Sequence, residues 1–207
     1  KIVVNVCGKT VEDYCRVVER LAPEPVDLLE INVSCPNVKE GGIAFGQDPH
    51  ALEEITKEVK KHAKQPIIMK LSPNVTDIAE MARAAEAGGA DALSLINTLT
   101  GMKIDIYKKS FALANRTGGL SGPAIKPVAV RMVYQTAQAV KLPVIGMGGI
   151  CTAEDALEFI LAGATAVSVG TANFADPYAA KDVAEGIERY MDQQGVEDIR
   201  ELIGAVR

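Results

Sequence analysis

Several polar residues in this chain stand directly after apolar, strand-like segments, where an enzyme could present them to a substrate. The segment Asn32-Val-Ser-Cys-Pro-Asn37 follows one such run and contains Cys35. Because a thiol has an ordinary pKa of about 8.5, Cys35 could act as a general base or a nucleophile near neutral pH. An idle loop cysteine fits the same pattern equally well. His50 at a helix start and His62 among lysines are typical of surface positions, so no Cys–His pair is indicated.

Other strand-like segments also end in groups that could bind a charged ligand. Lys70 lies between Met69 and Leu71, and a buried ammonium needs an anionic partner, which a cofactor that becomes anionic would provide. The glycine-bearing loops Gly148-Gly149 and Gly170-Thr171 could hold a phosphate where backbone N–H groups converge near helix starts. Each glycine pair alone is a weak signal, since glycines also end strands.

The composition limits the classes of protein to which this chain can belong. It has 207 residues, 48% apolar and 4% aromatic without tryptophan, and a formal net charge of -5. The apolar fraction excludes a disordered chain, and the low aromatic content argues against an aromatic-rich β-sandwich. No uncharged stretch reaches the roughly 18 apolar residues of a membrane span. A mildly acidic chain without a basic run is a poor nucleic-acid binder.

Strand-like and helix-like segments alternate along the chain. Most strand candidates are near-continuous apolar runs, the pattern of parallel strands covered on both faces. The segments between them have apolar stripes at helical spacing and N-cap candidates at Thr10, Asp48, Thr76 and Thr152. Strands are predicted at 2–7, 27–33, 66–71, 92–96, 143–147 and 165–170. The main helices are predicted at 11–22, 49–63, 127–140 and 177–193.

The predicted strands fit two architectures, an open doubly wound sheet and part of a TIM barrel. The lack of a G-x-G-x-x-G motif after the first strand weakens the doubly wound, dinucleotide-binding alternative. An internal repeat favours the barrel, because residues 89–95 (GADALSL) resemble residues 163–169 (GATAVSV) two strand–helix units further on. We therefore predict a single α/β domain over residues 1–207, the last six units of a (β/α)8 barrel. Its first two strands would precede Lys1.

The cysteines do not have the spacing of a metal site, and we predict none. Cys7 in a predicted strand and Cys15 on a predicted helix are expected to be inert core residues, and Cys151 is the remaining thiol. Since no secretory signal is recognisable, we expect reduced thiols and a cytoplasmic protein.

Several segments together closely resemble the class 1 dihydroorotate dehydrogenases, and the subclass resembles the type 1B catalytic subunit. The segments Asn32–Asn37 and Thr117-Gly-Gly-Leu-Ser-Gly-Pro123 are the most specific ones. The resemblance extends from the first residue to the last. The other segments that contribute are 41–46, 96–98, 115–127 and 146–150.

This resemblance implies a flavin enzyme of pyrimidine biosynthesis that oxidises dihydroorotate to orotate while FMN is reduced. It implies that Cys35 is the base that removes the C5 proton as hydride passes from C6 to flavin N5. The flavin contacts it implies are Asn5, Asn32, Lys70, Ile96, Gly122, Gly148, Gly149, Gly170 and Thr171. The substrate contacts it implies are Asn32, Asn37, Asn97 and Thr98.

The resemblance also implies partners. A homodimer of catalytic subunits would stand beside an electron-transfer subunit that carries FAD and a 2Fe–2S cluster and reduces NAD+. Two other functions stay open at this point. A flavin-free, phosphate-binding TIM-barrel isomerase would explain the glycine loops but leave Cys35 and the asparagines idle. The 207 residues could also form an inactive barrel fragment.

Overall fold

The fold is an open section of a parallel α/β barrel. The computed structural model describes residues 1–34 and 45–206. The strands are β1 (Val3–Val6), β2 (Leu28–Asn32), β3 (Ile67–Lys70), β4 (Ala92–Leu95), β5 (Leu99–Met102), β6 (Ile104–Asp105), β7 (Ser110–Phe111), β8 (Thr117–Leu120), β9 (Val144–Met147) and β10 (Ala166–Ser168). Six of them form one parallel sheet in the order β1-β2-β3-β4-β9-β10, a half-barrel with helices on its outer side. All six predicted strands are present, each one to three residues shorter than predicted.

The helices follow the capping signals of the sequence. Thr10 and Thr152 each form a capping box, and Asp48 caps the helix that Pro49 begins. The helix that begins at Ile78 is capped by Asp77, so the predicted N-cap, Thr76, was wrong by one residue. The helices are α1 (Val11–Leu21), α2 (Pro49–His62), α3 (Ile78–Ala87), α4 (Lys126–Ala139), α5 (Ala153–Leu161), α6 (Ala172–Ala175) and α7 (Ala179–Gln194).

The core lies between the sheet and the surrounding helices. Leu29 and Ile31 of β2 are fully buried and share one hydrophobic cluster with Tyr14 of α1 and Leu52 of α2. Glu30 lies between these two residues and points to the opposite, inner side of the half-barrel, because successive strand residues alternate between faces. The apolar positions of β2 thus pack against the helices outside and leave Glu30 on the inner side.

The internal repeat marks equivalent turns of the barrel. Gly89 and Gly163 have φ angles of +91° and +116°, in the region that favours glycine. Each lies just before a strand, β4 or β10, and β9 separates these two strands in the sheet. This spacing confirms the prediction that the two segments are two strand–helix units apart.

The segment between β4 and α4 contains structure that the sequence did not predict. Strands β5 and β8 form one antiparallel pair, and β6 and β7 form another between them. These strands are short, and two contain glycines and exposed residues, so they lack the apolar runs that identified the barrel strands. These four strands form a small antiparallel ribbon after the carboxyl end of β4.

The two cysteines that were predicted to lie in the core have different surroundings. Cys15 of α1 is buried, as predicted. Cys7 is exposed, so the prediction that it lies in the core was wrong. The reason is that β1 ends at Val6, one residue before this cysteine. In the described part of the chain, no helix is both long and apolar enough to cross a membrane.

His62 at the end of α2 connects α2 to α1. We therefore expect the free energy of unfolding to depend on pH. Its Nδ1 lies 2.6 Å from Glu19 Oε1 of α1, and its Nε2 lies 3.3 Å from Glu58 Oε1. These hydrogen bonds raise the pKa of His62 above its ordinary value of 6.5, and the bond with Glu19 has the larger effect. The stabilisation is therefore complete below pH 6.5 and is lost as the pH rises through the raised pKa.

We expect His62→Gln to lower the urea midpoint of unfolding at acidic pH and to have a smaller effect at alkaline pH. Unfolding curves measured from about pH 5 to about pH 8 test this. His50→Gln is the matched control, since His50 is exposed at the start of the same helix. A loss in His62→Gln that is the same at every pH would contradict the role of the ion pairs.

Candidate functional site

A cavity of about 260 Å³ lies at the carboxyl ends of the barrel strands. Lys70 ends β3, Ile96 follows β4, Met147 ends β9 and Ser168 ends β10, and all four line this cavity. The remaining lining residues are Asn97, Thr98, Ser121, Gly122, Ile125, Gly148, Gly149, Ile150, Gly170 and Thr171. In parallel α/β folds, ligands bind at this end of the strands.

The structure brings most of the predicted site residues together. The cavity is lined by seven of the predicted flavin contacts and by two of the predicted substrate contacts. Asn5 and Asn32 are on the neighbouring strands β1 and β2 and connect to the cavity through hydrogen bonds. Cys35 and Asn37 lie outside the described residues.

The loops that contain Gly122 and Gly149 approach each other closely at the cavity. Gly149 has a φ of +82°, and a Cβ built on it would lie 2.7 Å from the carbonyl oxygen of Gly122. A Cβ on Gly122 or Gly170 would meet no atom within 4 Å, so these positions border open space. Among the described residues, the backbone N–H groups of Gly149, Gly170 and Thr171 have no protein acceptor. Together with the Gly170–Thr171 loop, the loops of Gly122 and Gly149 therefore form a cradle that offers donors to an anion.

Side-chain amides connect the ends of three strands beside this cradle. Asn97 Nδ2 donates to Ser34 Oγ at 2.6 Å and to the Ser34 carbonyl at 3.0 Å, and it lies 3.4 Å from Asn32 Oδ1. Asn32 Nδ2 donates in turn to Asn5 Oδ1 at 3.5 Å. Asn74 fixes Thr98 from the other side, since its Nδ2 donates to the Thr98 carbonyl at 3.0 Å. Amide groups of this kind can donate to and accept from a cyclic imide or carboxylate.

Lys70 has an anionic partner within the protein. Its Nζ lies 3.6 Å from Glu30 Oε2, and the two side chains are 18% and 13% exposed. The prediction placed the negative charge on a bound cofactor and did not include Glu30. The signal was present, because Glu30 interrupts an otherwise apolar strand between Leu29 and Ile31.

An ion pair holds the loops of Gly122 and Gly149 against each other. Lys126 at the start of α4 donates to Asp155 Oδ1 of α5 at 2.6 Å, and Asp155 Oδ2 accepts from the backbone N–H of Cys151 and Thr152. Burial alone raises the pKa of Asp155. The hydrogen bonds from Lys126 and from the two backbone groups outweigh burial and hold the pKa below its ordinary value. This clamp, Lys126 with Asp155, was not predicted from the sequence.

Asp155→Asn is expected to destabilise the protein by about 2 kcal/mol, because it weakens hydrogen bonds to a charged and largely buried acceptor. Glu158→Gln is the matched control: Glu158 also binds Lys126 but is 49% exposed, against 17% for Asp155. We expect a cost below about 1 kcal/mol for the control. Urea unfolding measures both losses, and a loss for Asp155→Asn no larger than that for Glu158→Gln would contradict the prediction that Asp155 is the main partner of Lys126.

Two further observations delimit the site. A larger cavity of about 650 Å³ lies outside the barrel between α4 and α5, but its lining is mostly apolar and lacks convergent donors. Within residues 1–34 and 45–206, no three His, Cys, Asp or Glu residues are close enough together to hold a metal ion. The cavity at the strand ends is therefore the site that the structure favours.

Comparisons with known proteins show the family of this chain. A family model described as dihydroorotate dehydrogenase matches residues 1–191. A relative from Lachnoclostridium phytofermentans is 70% identical over the whole chain, which covers 69% of that relative. A relative from Alkaliphilus oremlandii is 65% identical over 99% of the chain, which covers 68% of it. Both are named dihydroorotate dehydrogenase B (NAD(+)), catalytic subunit.

A solved structure has the same fold. The dihydroorotate dehydrogenase of Eimeria tenella, solved in complex with ferulenol, superposes with a TM-score of 0.82 at 25% identity. The match covers 98% of this chain and 61% of that one, so this chain spans less than two thirds of the solved protein. A partial TIM barrel is therefore confirmed. The chain belongs to the dihydroorotate dehydrogenase family, a family of oxidoreductases.

Proposed function

We propose that this protein oxidises dihydroorotate to orotate in pyrimidine biosynthesis, with FMN as the hydride acceptor. The observation that supports this most is the juxtaposition of an anion cradle, a lysine and a row of amides at one end of a half-barrel of this family. Family membership favours this function over the flavin-free isomerase.

The described residues fit an FMN. The ribityl phosphate would accept hydrogen bonds from the backbone N–H groups of Gly149, Gly170 and Thr171, and the open space at Gly122 would admit it. Lys70 would stand beside the ring and favour a negative charge on it, and Asn5, Asn32 and Ile96 would contact the ring system. Bound FMN would supply a hydride acceptor at N5.

The residues at the strand ends would bind and deprotonate the substrate. Asn32, Asn97 and Thr98 would bind the ring amides and the carboxylate together with Asn37, because they provide both donors and acceptors. Their mutual hydrogen bonds fix these groups before a ligand arrives, which reduces the cost of ordering them on binding. Cys35 would take the proton from C5 of dihydroorotate while a hydride leaves C6 for the flavin.

We also propose the assembly that the relatives' names suggest. Those names include NAD(+) and the words catalytic subunit. An electron-transfer subunit with FAD and a 2Fe–2S cluster would oxidise the reduced flavin and pass the electrons to NAD+. Two catalytic subunits would form a homodimer in the cytoplasm.

The barrel would be closed by strands beyond those of this chain. β1 and β10 are the two edge strands of the sheet, and Ile2 and Val3 at the start of β1 are 56% and 48% exposed. Open edges of this kind pair readily with further strands. We propose that residues 1–207 are one partial barrel domain, and that two strands before Lys1 lie between β10 and β1.

Steady-state turnover tests the proposed function. The full-length protein, loaded with FMN, is expected to reduce a dye acceptor when dihydroorotate is added, and to produce orotate in equal amount. Apoprotein that is reconstituted with riboflavin, which lacks the phosphate, is the matched control and is expected to turn over poorly. FMN-loaded protein that forms no orotate would contradict the proposal.

A further inference from the structure

Glu30 is a carboxylate inside the half-barrel for which the proposed reaction has no use. Its Oε2 accepts a hydrogen bond from Asn5 Nδ2 at 2.5 Å, and its Oε1 accepts one from Ser94 Oγ at 2.7 Å. Lys70 Nζ lies 3.6 Å from Oε2. One carboxylate thus connects residues of the four adjacent strands β1, β2, β3 and β4.

The strand register explains why these groups meet. Asn5 is paired with Glu30, and Lys70 is paired with Ser94. Glu30 is itself paired with Ile68, two residues before Lys70, so all four side chains lie on the same, inner face of the sheet. A buried charge costs free energy, and an apolar residue would pack in this position more cheaply. The network therefore fits a purpose other than stability.

The Glu30 network acts on the ligand cavity through Lys70, which lines it. Lys70 borders the cavity and Glu30 does not, so a ligand there meets the ammonium first. The carboxylate both reduces the positive field of Lys70 and attracts its ammonium away from the ligand. Without the carboxylate, the ammonium would be free to turn towards a negatively charged ligand.

We infer that Glu30 is a positioning residue that restrains and partly neutralises the Lys70 ammonium, and so limits how strongly the site stabilises a negatively charged flavin. This inference rests on the proposed FMN site. It concerns the electron affinity of the bound flavin rather than the removal of the substrate proton.

Sulfite binding to the FMN-loaded, full-length protein tests the inference without turnover. Sulfite adds its sulfur lone pair to flavin N5, and the ring gains a negative charge at N1 and its neighbouring carbonyl. The adduct is measured from the loss of the visible flavin absorption. We expect Glu30→Gln to lower the sulfite Kd about tenfold, because the full charge of Lys70 then acts on the ring.

A matched control separates this effect from a change in overall charge. Glu53→Gln also removes one carboxylate that pairs with a lysine, Lys57, but it does so on α2 outside the barrel. We expect its sulfite Kd to stay within about twofold of the parent value, since this partly exposed charge on the outer helix is screened by solvent and salt.

A double-mutant cycle tests whether Glu30 acts through Lys70. In a Lys70→Met background, Glu30→Gln is expected to change the sulfite Kd by about threefold or less, because the repositioned ammonium is missing. An equal change in both backgrounds would overturn the inference. So would an unchanged sulfite Kd in Glu30→Gln alone.

Folding and FMN binding are controlled separately. If Glu30→Gln does not fold, Glu30→Asp replaces it: its carboxylate lies farther from Lys70, so the sulfite Kd falls by less, and no change would overturn the inference. Parent protein that binds no FMN would refute the proposed function and the inference together. FMN-loaded parent with an insensitive Glu30→Gln variant would refute the inference alone.

Discussion

Replacing Cys35 by Ala is expected to lower dihydroorotate turnover by about 10² to 10⁴, the usual contribution of a general base. The substitution removes the proposed acceptor of the C5 proton but none of the proposed flavin contacts. The variant should therefore purify with FMN bound at the parent ratio and with an unchanged flavin spectrum. Turnover and flavin content, measured on the same preparation, test both halves of this expectation.

A second thiol provides the control for this experiment. Cys15 is buried in α1 on the outer side of the sheet, so Cys15→Ala changes a cysteine without touching the cavity. We expect this variant to be slightly less stable and to turn over at the parent rate. Near-parent turnover in Cys35→Ala would show that another group removes the proton.

Replacing Gly149 by Ala is expected to weaken FMN binding about a hundredfold, which corresponds to the loss of about two hydrogen bonds to a charged phosphate. Gly149 adopts a φ of +82°, and a Cβ there would lie 2.7 Å from the Gly122 carbonyl oxygen and 3.0 Å from Lys126 Cβ. The methyl group would force the two loops apart and misdirect their N–H groups. Fluorescence titration of apoprotein with FMN measures the change.

Gly195→Ala is the matched control for the backbone conformation. Gly195 also has a positive φ, +67°, but a Cβ there would meet no atom within 4 Å. It ends α7, far along the chain from the cavity loops. We expect a loss of stability of about 1 kcal/mol and no change in FMN affinity. If Gly149→Ala bound FMN like the parent, the cradle would not be the phosphate site.

The barrel could be predicted from the sequence because its strands are buried on both faces. Apolar runs such as 66–71 and 92–96 have no competing interpretation once helical stripes alternate with them. The ribbon of β5 to β8 was missed for the opposite reason. Its strands are two to four residues long and largely exposed, so neither burial nor periodicity distinguishes them from a loop.

The candidate site was predicted mainly at positions where a strand ends in a polar residue or glycine. Lys70 and Gly149 were found in this way, Asn97 followed from the family resemblance, and the structure brings all three to one cavity. The residues that support them were missed, because their roles depend on contacts between distant segments. In the sequence, Asp155 has the position of an ordinary helix-capping residue. Only the fold shows that it also binds Lys126, 29 residues earlier.

The most direct measurement of the central proposal is a single reductive half-reaction. Dihydroorotate is added without oxygen or any acceptor to the full-length, FMN-loaded protein, and the visible flavin band and orotate are followed together. The proposed function predicts that the band bleaches and that orotate forms in amounts equal to the flavin. A flavin band that stays unchanged, with no orotate formed, would contradict it.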